Sequence, residues 1–318
     1  MDYQQNKLYQ IKRQDDEKFT RIKERTGQVT FTQQVKNFGP GMVTSADLHI
    51  AIPVNRNNQE LLEEITFNME PAGFVTDRWG QQTAHFRFEN LQAGETRTVE
   101  MNVKAKTWEV RQFIFPDQVG GLDQIPKEIK DRYLEDNEKF QLDHPVIRDA
   151  VKNVVGNEQN PYWIMRKIYD YIIDNMYYEM TGGWNTAPTV ISRGNGSCSE
   201  YTFVLIAMCR AAGLPARYVG SVVVRGDDAS MDDVFHRWAE VYLPNFGWIA
   251  VDASRGDRDW PRDQAIAIGT VSGTLLITTQ GGGGSETLEW TYNSNHFWTT
   301  EPKTYVNFEH FADWDVFQ

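Results

Sequence analysis

The chain has 318 residues, which is enough for two domains of ordinary size. Apolar residues make up 40% of it, aromatic residues 13% and charged residues 24%, a composition that excludes wholesale disorder. The net charge is −12 at pH 7, and the sequence has no basic stripe, which argues against a nucleic-acid partner.

No apolar run approaches the roughly 20 residues that span a bilayer, and Met1–Lys12 lacks the apolar stretch of a secretion signal. We therefore expect no membrane span in this chain; its location and its oligomeric state stay open, the location because a leader could have been removed. The two cysteines, Cys198 and Cys209, are too few for a disulfide scaffold, and no Cys-x-x-Cys pair indicates structural zinc. We expect no metal and no cofactor.

The first 115 residues carry the pattern of short β-strands separated by turn residues such as Gly73, Gly80 and Gly94. Several short strands at regular spacing favour an antiparallel β-sandwich over parallel α/β units. The predicted strands are Val29–Val35, Val43–Pro53, Glu64–Met69, Thr83–Phe88, Arg97–Val103 and Trp108–Phe115.

Helical patterns replace the strands after a linker at Pro116–Gly121. A weakly amphipathic helix is predicted over Ile125–Phe140, and a second helix begins at Pro145. Asn160 followed by Pro161 has the composition of a helix start, with a side-chain cap and a proline in the first position. We interpret the tyrosines of this region as packing residues, with a ligand platform as the alternative: Tyr169, Tyr171, Tyr177 and Tyr178.

The segment Gly194–Tyr201 holds the strongest sign of chemistry. Ser197 and Glu200 form the Ser-x-x-Glu pattern of a capping box, which places Cys198 at the first position of a helix that ends near Gly213. The N-terminus of a helix favours a thiolate, which is the nucleophilic form of cysteine. Its unpaired backbone N–H groups can also stabilise an oxyanion. Cys198 is therefore a candidate nucleophile.

A β-hairpin further along supplies candidate partners for this thiol. Phe235–Tyr242 alternates as a strand, a turn follows, and Trp248–Asp252 is the return strand, so that His236 and Asp252 lie at the same edge. A thiolate, an imidazole and a carboxylate together make a nucleophile, base and orienting acid. In an antiparallel hairpin the residue numbers of every facing pair add up to the same total, and side chains alternate between the two faces. His236 and Asp252 share a face only if that total is even, which predicts a loop with an odd number of residues or a bulge.

Five ordered blocks resemble the transglutaminase-like cysteine peptidase superfamily, over roughly residues 163–254. They are Asn185-Thr186-Ala187, Gly194–Tyr201, Ala211–Arg217, His236-x-Trp238-x-Glu240-Val241-Tyr242 and Gly247-Trp248-x-x-Val251-Asp252. The resemblance implies an α+β, papain-like core in which a helix bearing Cys packs on an antiparallel sheet bearing His and Asp. It also implies that Cys198 is the nucleophile, His236 the general base and acid, and Asp252 the orienting acid. Further substrate or oxyanion candidates are Trp184, Gly196, Ser199 and Trp238.

The resemblance implies an enzyme that acts on amide bonds of proteins or peptides through a thioester, and we expect a cysteine peptidase. The chain lacks the paired Cys-x-x-Cys zinc sites of members that deglycosylate glycoproteins. It also lacks the two β-barrels that follow the core in animal crosslinking enzymes, since about 65 residues follow Asp252. Two alternatives stay open: a transglutaminase that uses an amine acceptor, and a catalytically silent interaction module.

We expect four segments. Residues 1–115 are a β-sandwich domain, 116–145 a linker with a helix, 146–294 the transglutaminase-like core, and 295–318 an aromatic-rich tail packed on the body. A carbohydrate- or peptide-binding edge is the alternative for the tail. The acidic segment 227–233 lacks the spacing of a calcium loop and is interpreted as solvated.

Overall fold

The computed structural model describes residues 17–180, 183–223 and 235–317, so the acidic segment 227–233 lies outside the described residues. The described chain forms two compact units. The core unit comprises residues 17–22, 109–219 and 237–272, and the β unit comprises residues 23–108, 220–223, 235–236 and 273–317. The mixed α+β class, rich in antiparallel sheets, is confirmed. None of the described helices is both long enough and apolar enough to cross a membrane.

The β unit contains two antiparallel sheets whose strands alternate buried and exposed residues. In β1, for example, Val29, Phe31 and Val35 are buried, and they join Leu48 and Phe86 in one apolar core. One sheet has the order β7-β1-β16, with β3 and β4 beside β7, and the other has the order β15-β2-β6-β5. The strands are β1 (Phe19–Gly39), β2 (Val43–Ala51), β3 (Gln59–Leu61), β4 (Thr66–Phe67), β5 (Gly73–Thr76), β6 (Gln82–Leu91), β7 (Thr96–Gln112), β14 (Leu275–Gly281), β15 (Ser294–Thr300) and β16 (Tyr305–Phe317).

The last residues of the chain are strands of this unit. β15 pairs with β2, and Ser294 lies opposite Ile50 in this pair. β16 pairs with β1, and Phe317 lies opposite Thr26. The predicted strands Arg97–Val103 and Trp108–Phe115 belong largely to the single long strand β7, which ends at Gln112.

The core unit is built around one buried helix, α5 (Cys198–Ala211), of which all residues from Cys198 to Arg210 are buried. The other helices are α1 (Lys127–Tyr133), α2 (Pro145–Val155), α3 (Pro161–Asn175), α4 (Ala187–Arg193), α6 (Ala253–Gly256) and α7 (Pro261–Ile266). The strands that lie wholly or mostly in this unit are β8 (Tyr177–Tyr178), β9 (Asn195–Gly196), β10 (Ala216–Val223), β11 (Phe235–Leu243), β12 (Gly247–Val251) and β13 (Thr270–Val271); residues 220–223 of β10 and 235–236 of β11 belong to the β unit. Strands β12, β11 and β10 are neighbours in one sheet, and β8 pairs with β9 in parallel.

Helix starts in this unit follow the sequence signals. The Asn160 side chain accepts a hydrogen bond from Tyr162 N–H at 2.9 Å, which confirms the predicted cap ahead of Pro161. The helix predicted over Ile125–Phe140 is wrong in length, because α1 ends at Tyr133 and the chain then turns.

Candidate active site

Cys198 is the first residue of α5, as the sequence predicts, and 8% of its surface is exposed. The capping box is confirmed: Glu200 Oε2 accepts a hydrogen bond from Ser197 N–H at 3.1 Å. The first N–H groups of a helix have no partner within the helix and form its positive end. Cys198 therefore lies where a thiolate and a neighbouring oxyanion are both stabilised.

Glu200 anchors the chain ahead of the nucleophile. This fully buried carboxylate also accepts hydrogen bonds from Asn185 N–H at 3.0 Å, Asn185 Nδ2 at 2.9 Å and Arg193 at 2.8 Å. Gly196 packs against it, since a Cβ there would lie 2.9 Å from the Glu200 Cβ. These contacts fix the turn ahead of Cys198.

Asp252 follows β12 directly, and it is 5% exposed. Its Oδ1 accepts hydrogen bonds from Ser254 Oγ at 2.9 Å and Arg255 N–H at 3.0 Å, so the carboxylate caps α6. Its own N–H donates to Ala267 O at 3.0 Å. These bonds set the orientation of the Asp252 carboxylate.

His236 is the second residue of β11, and its carbonyl oxygen accepts a hydrogen bond from Ser221 Oγ at 3.2 Å. In the hairpin of β11 and β12, Ala239 pairs with Val251 and Leu243 with Gly247. The loop is three residues long, residues 244–246, so the predicted odd-length loop is confirmed.

The further candidates differ in exposure. Ser199 and Trp238 are each 2% exposed, and Gly196 is buried. Trp184 is 39% exposed, and its ring lies 5.2 Å from the guanidinium carbon of Arg237. Among these four candidates, Trp184 alone presents a side chain to solvent.

Arg237 joins β11 to α5. Its guanidinium is fully buried and lies 5.3 Å from the Phe203 ring on α5 and 4.8 Å from the Tyr218 ring on β10. A guanidinium over aromatic faces is stabilised by the ring quadrupole. Together with the contact to Trp184, this cation connects the sheet, the cysteine-bearing helix and the segment ahead of α4.

The sequence predicts no role for Asp257, and for Tyr177 and Tyr178 it predicts packing, with a ligand platform as the alternative. Tyr178 is 44% exposed and Tyr177 is 60% exposed, so the interpretation of these two tyrosines as packing residues is wrong, whereas Tyr169 is buried. Asp257 Oδ2 accepts hydrogen bonds from Tyr178 N–H at 3.0 Å and from the Tyr201 hydroxyl at 2.7 Å. The sequence carries no signal for this cluster, because it depends on the pairing of β8 with β9.

The surroundings of Tyr178 keep its hydroxyl protonated. Partial burial raises the pKa of Tyr178, and the negative charges of Cys198 and Asp252 raise it further, while the Cys198 backbone N–H lowers it. The hydroxyl is therefore a hydrogen-bond donor at neutral pH.

Comparison with known proteins identifies similar sequences and a similar fold. Residues 148–253 match the family model described as "Transglutaminase-like superfamily", a range that includes Cys198, His236 and Asp252. A structure from Cytophaga hutchinsonii, described provisionally as a cysteine protease, has a TM-score of 0.63 at 14% identity and covers 93% of this chain and 100% of its own. At that identity the likeness shows the fold alone.

Two curated relatives are described as uncharacterized proteins. One, from Haemophilus influenzae, is 26% identical over 133 residues, covering 34% of this chain and 36% of the relative. The other, YebA of Bacillus subtilis, is 23% identical over 226 residues, covering 65% of this chain and 27% of the relative. The chain thus spans about a third of the length of these relatives or less.

Proposed function

Because residues 148–253 of this chain are a transglutaminase-like domain, we propose that it is a thiol-dependent enzyme that attacks amide bonds of proteins or peptides, a cysteine peptidase in the first instance. The observation that carries the proposal is the position of Cys198 at the N-terminus of the buried helix α5, in the range matched to the family. A cysteine that only filled the core would have no need of that position.

In the proposed reaction the Cys198 thiolate attacks the carbonyl carbon of the amide. A C–S bond forms, and the C=O electron pair moves to the oxygen, which backbone N–H groups at the start of α5 stabilise. When the carbonyl re-forms, the C–N bond breaks and the amine takes a proton from the His236 imidazolium. Water, deprotonated by His236, then releases the acyl group from the thioester.

Asp252 orients His236 in this proposal. If the β11–β12 register continued by one pair, Trp238 would lie opposite Asp252, and His236 would be diagonal to it on the same face. We propose that the Asp252 carboxylate, whose Oδ1 also accepts hydrogen bonds from Ser254 and Arg255, accepts the imidazole N–H.

The test is site-specific alkylation followed by turnover. Iodoacetamide at pH 6 should label Cys198 and spare Cys209, and Cys198→Ala should abolish hydrolysis of a protein substrate such as casein while Cys209→Ala retains it. Labelling of neither cysteine in the native protein would instead favour a silent interaction module.

The acyl acceptor is decided by a second measurement on the active protein. A peptidase releases new N-termini from casein, whereas a transglutaminase incorporates a labelled primary amine and releases ammonia. We expect new N-termini; incorporation of the amine without them would replace the peptidase proposal by the crosslinking one.

A further inference from the structure

A cavity of about 490 Å³ lies in the core unit, and its described lining contains neither Cys198, His236 nor Asp252. This volume is within the range of small-molecule pockets. None of the described lining residues is acidic. The polar ones are Thr186, Thr189, Ser192 and Arg193, at α4 and its cap, with Gln141 and His144 ahead of α2.

The Arg193 guanidinium is held in one orientation at this cavity. Nε and Nη2 donate to Asn195 O at 3.3 and 2.9 Å, and Nη2 also donates to the buried Glu200 carboxylate at 2.8 Å. Among the described residues no group accepts a hydrogen bond from Nη1, and the side chain is 32% exposed. Because a guanidinium only donates, Nη1 keeps its N–H donors for a ligand.

Thr186 and Thr189 leave a further donor at the same cavity. Their hydroxyl oxygens are 3.0 Å apart, so one hydroxyl donates to the other, and the accepting hydroxyl keeps its own proton. Thr186 precedes α4, but its side chain makes no capping hydrogen bond to the helix. Whichever threonine donates within the pair, the other therefore has an O–H that can donate to a ligand.

These donors fit a carboxylate. An ionised carboxylate only accepts hydrogen bonds, and its bonds to a guanidinium are charge-assisted and short. A cationic ligand would find no carboxylate among the described lining residues. The cavity also has room for the organic group that carries the carboxylate.

We propose that this cavity binds a carboxylate, carried by a small organic acid or by an acidic side chain of a peptide. Arg193 Nη1 and the free hydroxyl of the Thr186–Thr189 pair donate to it. The site is separate from the proposed reaction, so it stands whether or not Cys198 is a nucleophile.

Isothermal titration calorimetry with matched probes tests the site, in Cys198→Ala so that no peptide is turned over. The free acid is glutarate, and its neutral counterpart is glutaramide. The peptide is acetyl-Ala-Ala-Glu-Ala-Ala-amide, and its counterpart has Gln in place of Glu. We expect at least one acid to bind more tightly than its counterpart, and the tighter acid identifies the source of the carboxylate.

Variants in the same background locate the binding. Arg193→Gln should weaken it by about tenfold or more, the usual effect of losing a hydrogen bond to a charged group. Replacing Thr186 and Thr189 together by Val should weaken it about three- to tenfold. Either single Val replacement leaves one free hydroxyl and should have a smaller effect. Ser192→Ala is the matched control: its hydroxyl proton goes to Pro188 O at 2.8 Å, so Ser192 cannot donate to a carboxylate.

Two kinds of result would overturn the proposal. One is that neither acid binds, or that each binds no better than its neutral counterpart. The other is unchanged affinity in the double threonine variant, which leaves the Arg193–Glu200 pair intact and therefore decides the question even if Arg193→Gln does not fold. A loss in Ser192→Ala as large as in the double variant would also overturn it, because the donors would then not be the cause.

Loss of casein hydrolysis or of Cys198 alkylation in the wild type bears on the proposed function alone. Binding of the acids is measured without either reaction, so the two proposals fail separately.

Discussion

Tyr242 lies opposite Trp248 in the hairpin of β11 and β12, and this one pairing fixes the face on which every side chain of the two strands lies. A shift of one residue would send His236 and Asp252 to opposite faces. The observed register pairs Glu240, whose carboxylate lies 2.7 Å from Arg217, with Ala250; continued beyond the paired residues, it would put His236 and Asp252 on that same face. The hairpin is thus compatible with a His–Asp pair at its open end.

Asp252 caps α6, and in the proposed reaction it also orients His236. Asp252→Asn keeps an oxygen for the bonds from Ser254 and Arg255, so stability should change little. Because an amide cannot favour the same imidazole tautomer and charge, kcat should fall by about 100-fold or more. Ser254→Ala is the control: it removes one bond to Oδ1 and should cost more stability than activity. Peptidase assays and urea unfolding measure the two effects, and equal kcat in Asp252→Asn and wild type would remove Asp252 from the mechanism.

Glu200 is expected to stabilise the nucleophile segment. Glu200→Ala leaves the Arg193 guanidinium and the Asn185 donors without their buried partner, which should cost about 3–5 kcal/mol of unfolding free energy. Glu138→Ala, which removes an exposed carboxylate that pairs with Lys139 in the same unit, should change stability little. Urea denaturation compares the two, and similar small effects would show that Glu200 anchors nothing.

Cys209 is expected to be inert in the folded protein. It is fully buried in α5, burial raises the pKa of its thiol, and both cysteines are free, as the sequence predicts. Thiol titration should therefore count one reactive cysteine in native buffer and two in urea. Two reactive thiols in the native protein would contradict the position of Cys209.

Two histidines of the β unit should make its stability depend on pH. Burial lowers the pKa of His49 and of His296 to about 4. In the unfolded chain histidine takes up a proton near pH 6.5, so between about 6.5 and 4 the unfolded state binds more protons. These groups therefore make stability fall as pH drops through that window, with no further loss below it.

The measurement is urea unfolding at pH 7 and pH 4.5, in the wild type and in a His49→Gln, His296→Gln double variant. The difference in unfolding free energy between the two pH values should be smaller in the double variant. His144→Asn, at an exposed position and with a residue suited to cap α2, should show the same difference as the wild type. An unchanged pH dependence in the double variant would show that neither histidine is held neutral.

Local signals predicted the parts of the site that depend on neighbours in sequence. The capping box at Ser197 and Glu200 follows from a four-residue pattern. The odd number of residues in the hairpin loop follows from the condition that His236 and Asp252 lie on the same face. The contact of Tyr178 with the start of α5 could not be predicted, because it depends on pairing with Gly196 and on Asp257, both distant in sequence. The same holds for β15, whose partner β2 lies near the other end of the chain.

In the proposed reaction His236 activates Cys198. The direct measurement is the pH dependence of Cys198 alkylation by iodoacetamide in wild type, in His236→Ala and in His144→Asn, a control that keeps a residue suited to cap α2. An imidazolium near the thiolate stabilises it in addition to the helix N-terminus. The pH midpoint of alkylation should therefore rise in His236→Ala and stay at the wild-type value in His144→Asn. A midpoint unchanged in His236→Ala would contradict activation by His236 and leave the helix alone to stabilise the thiolate.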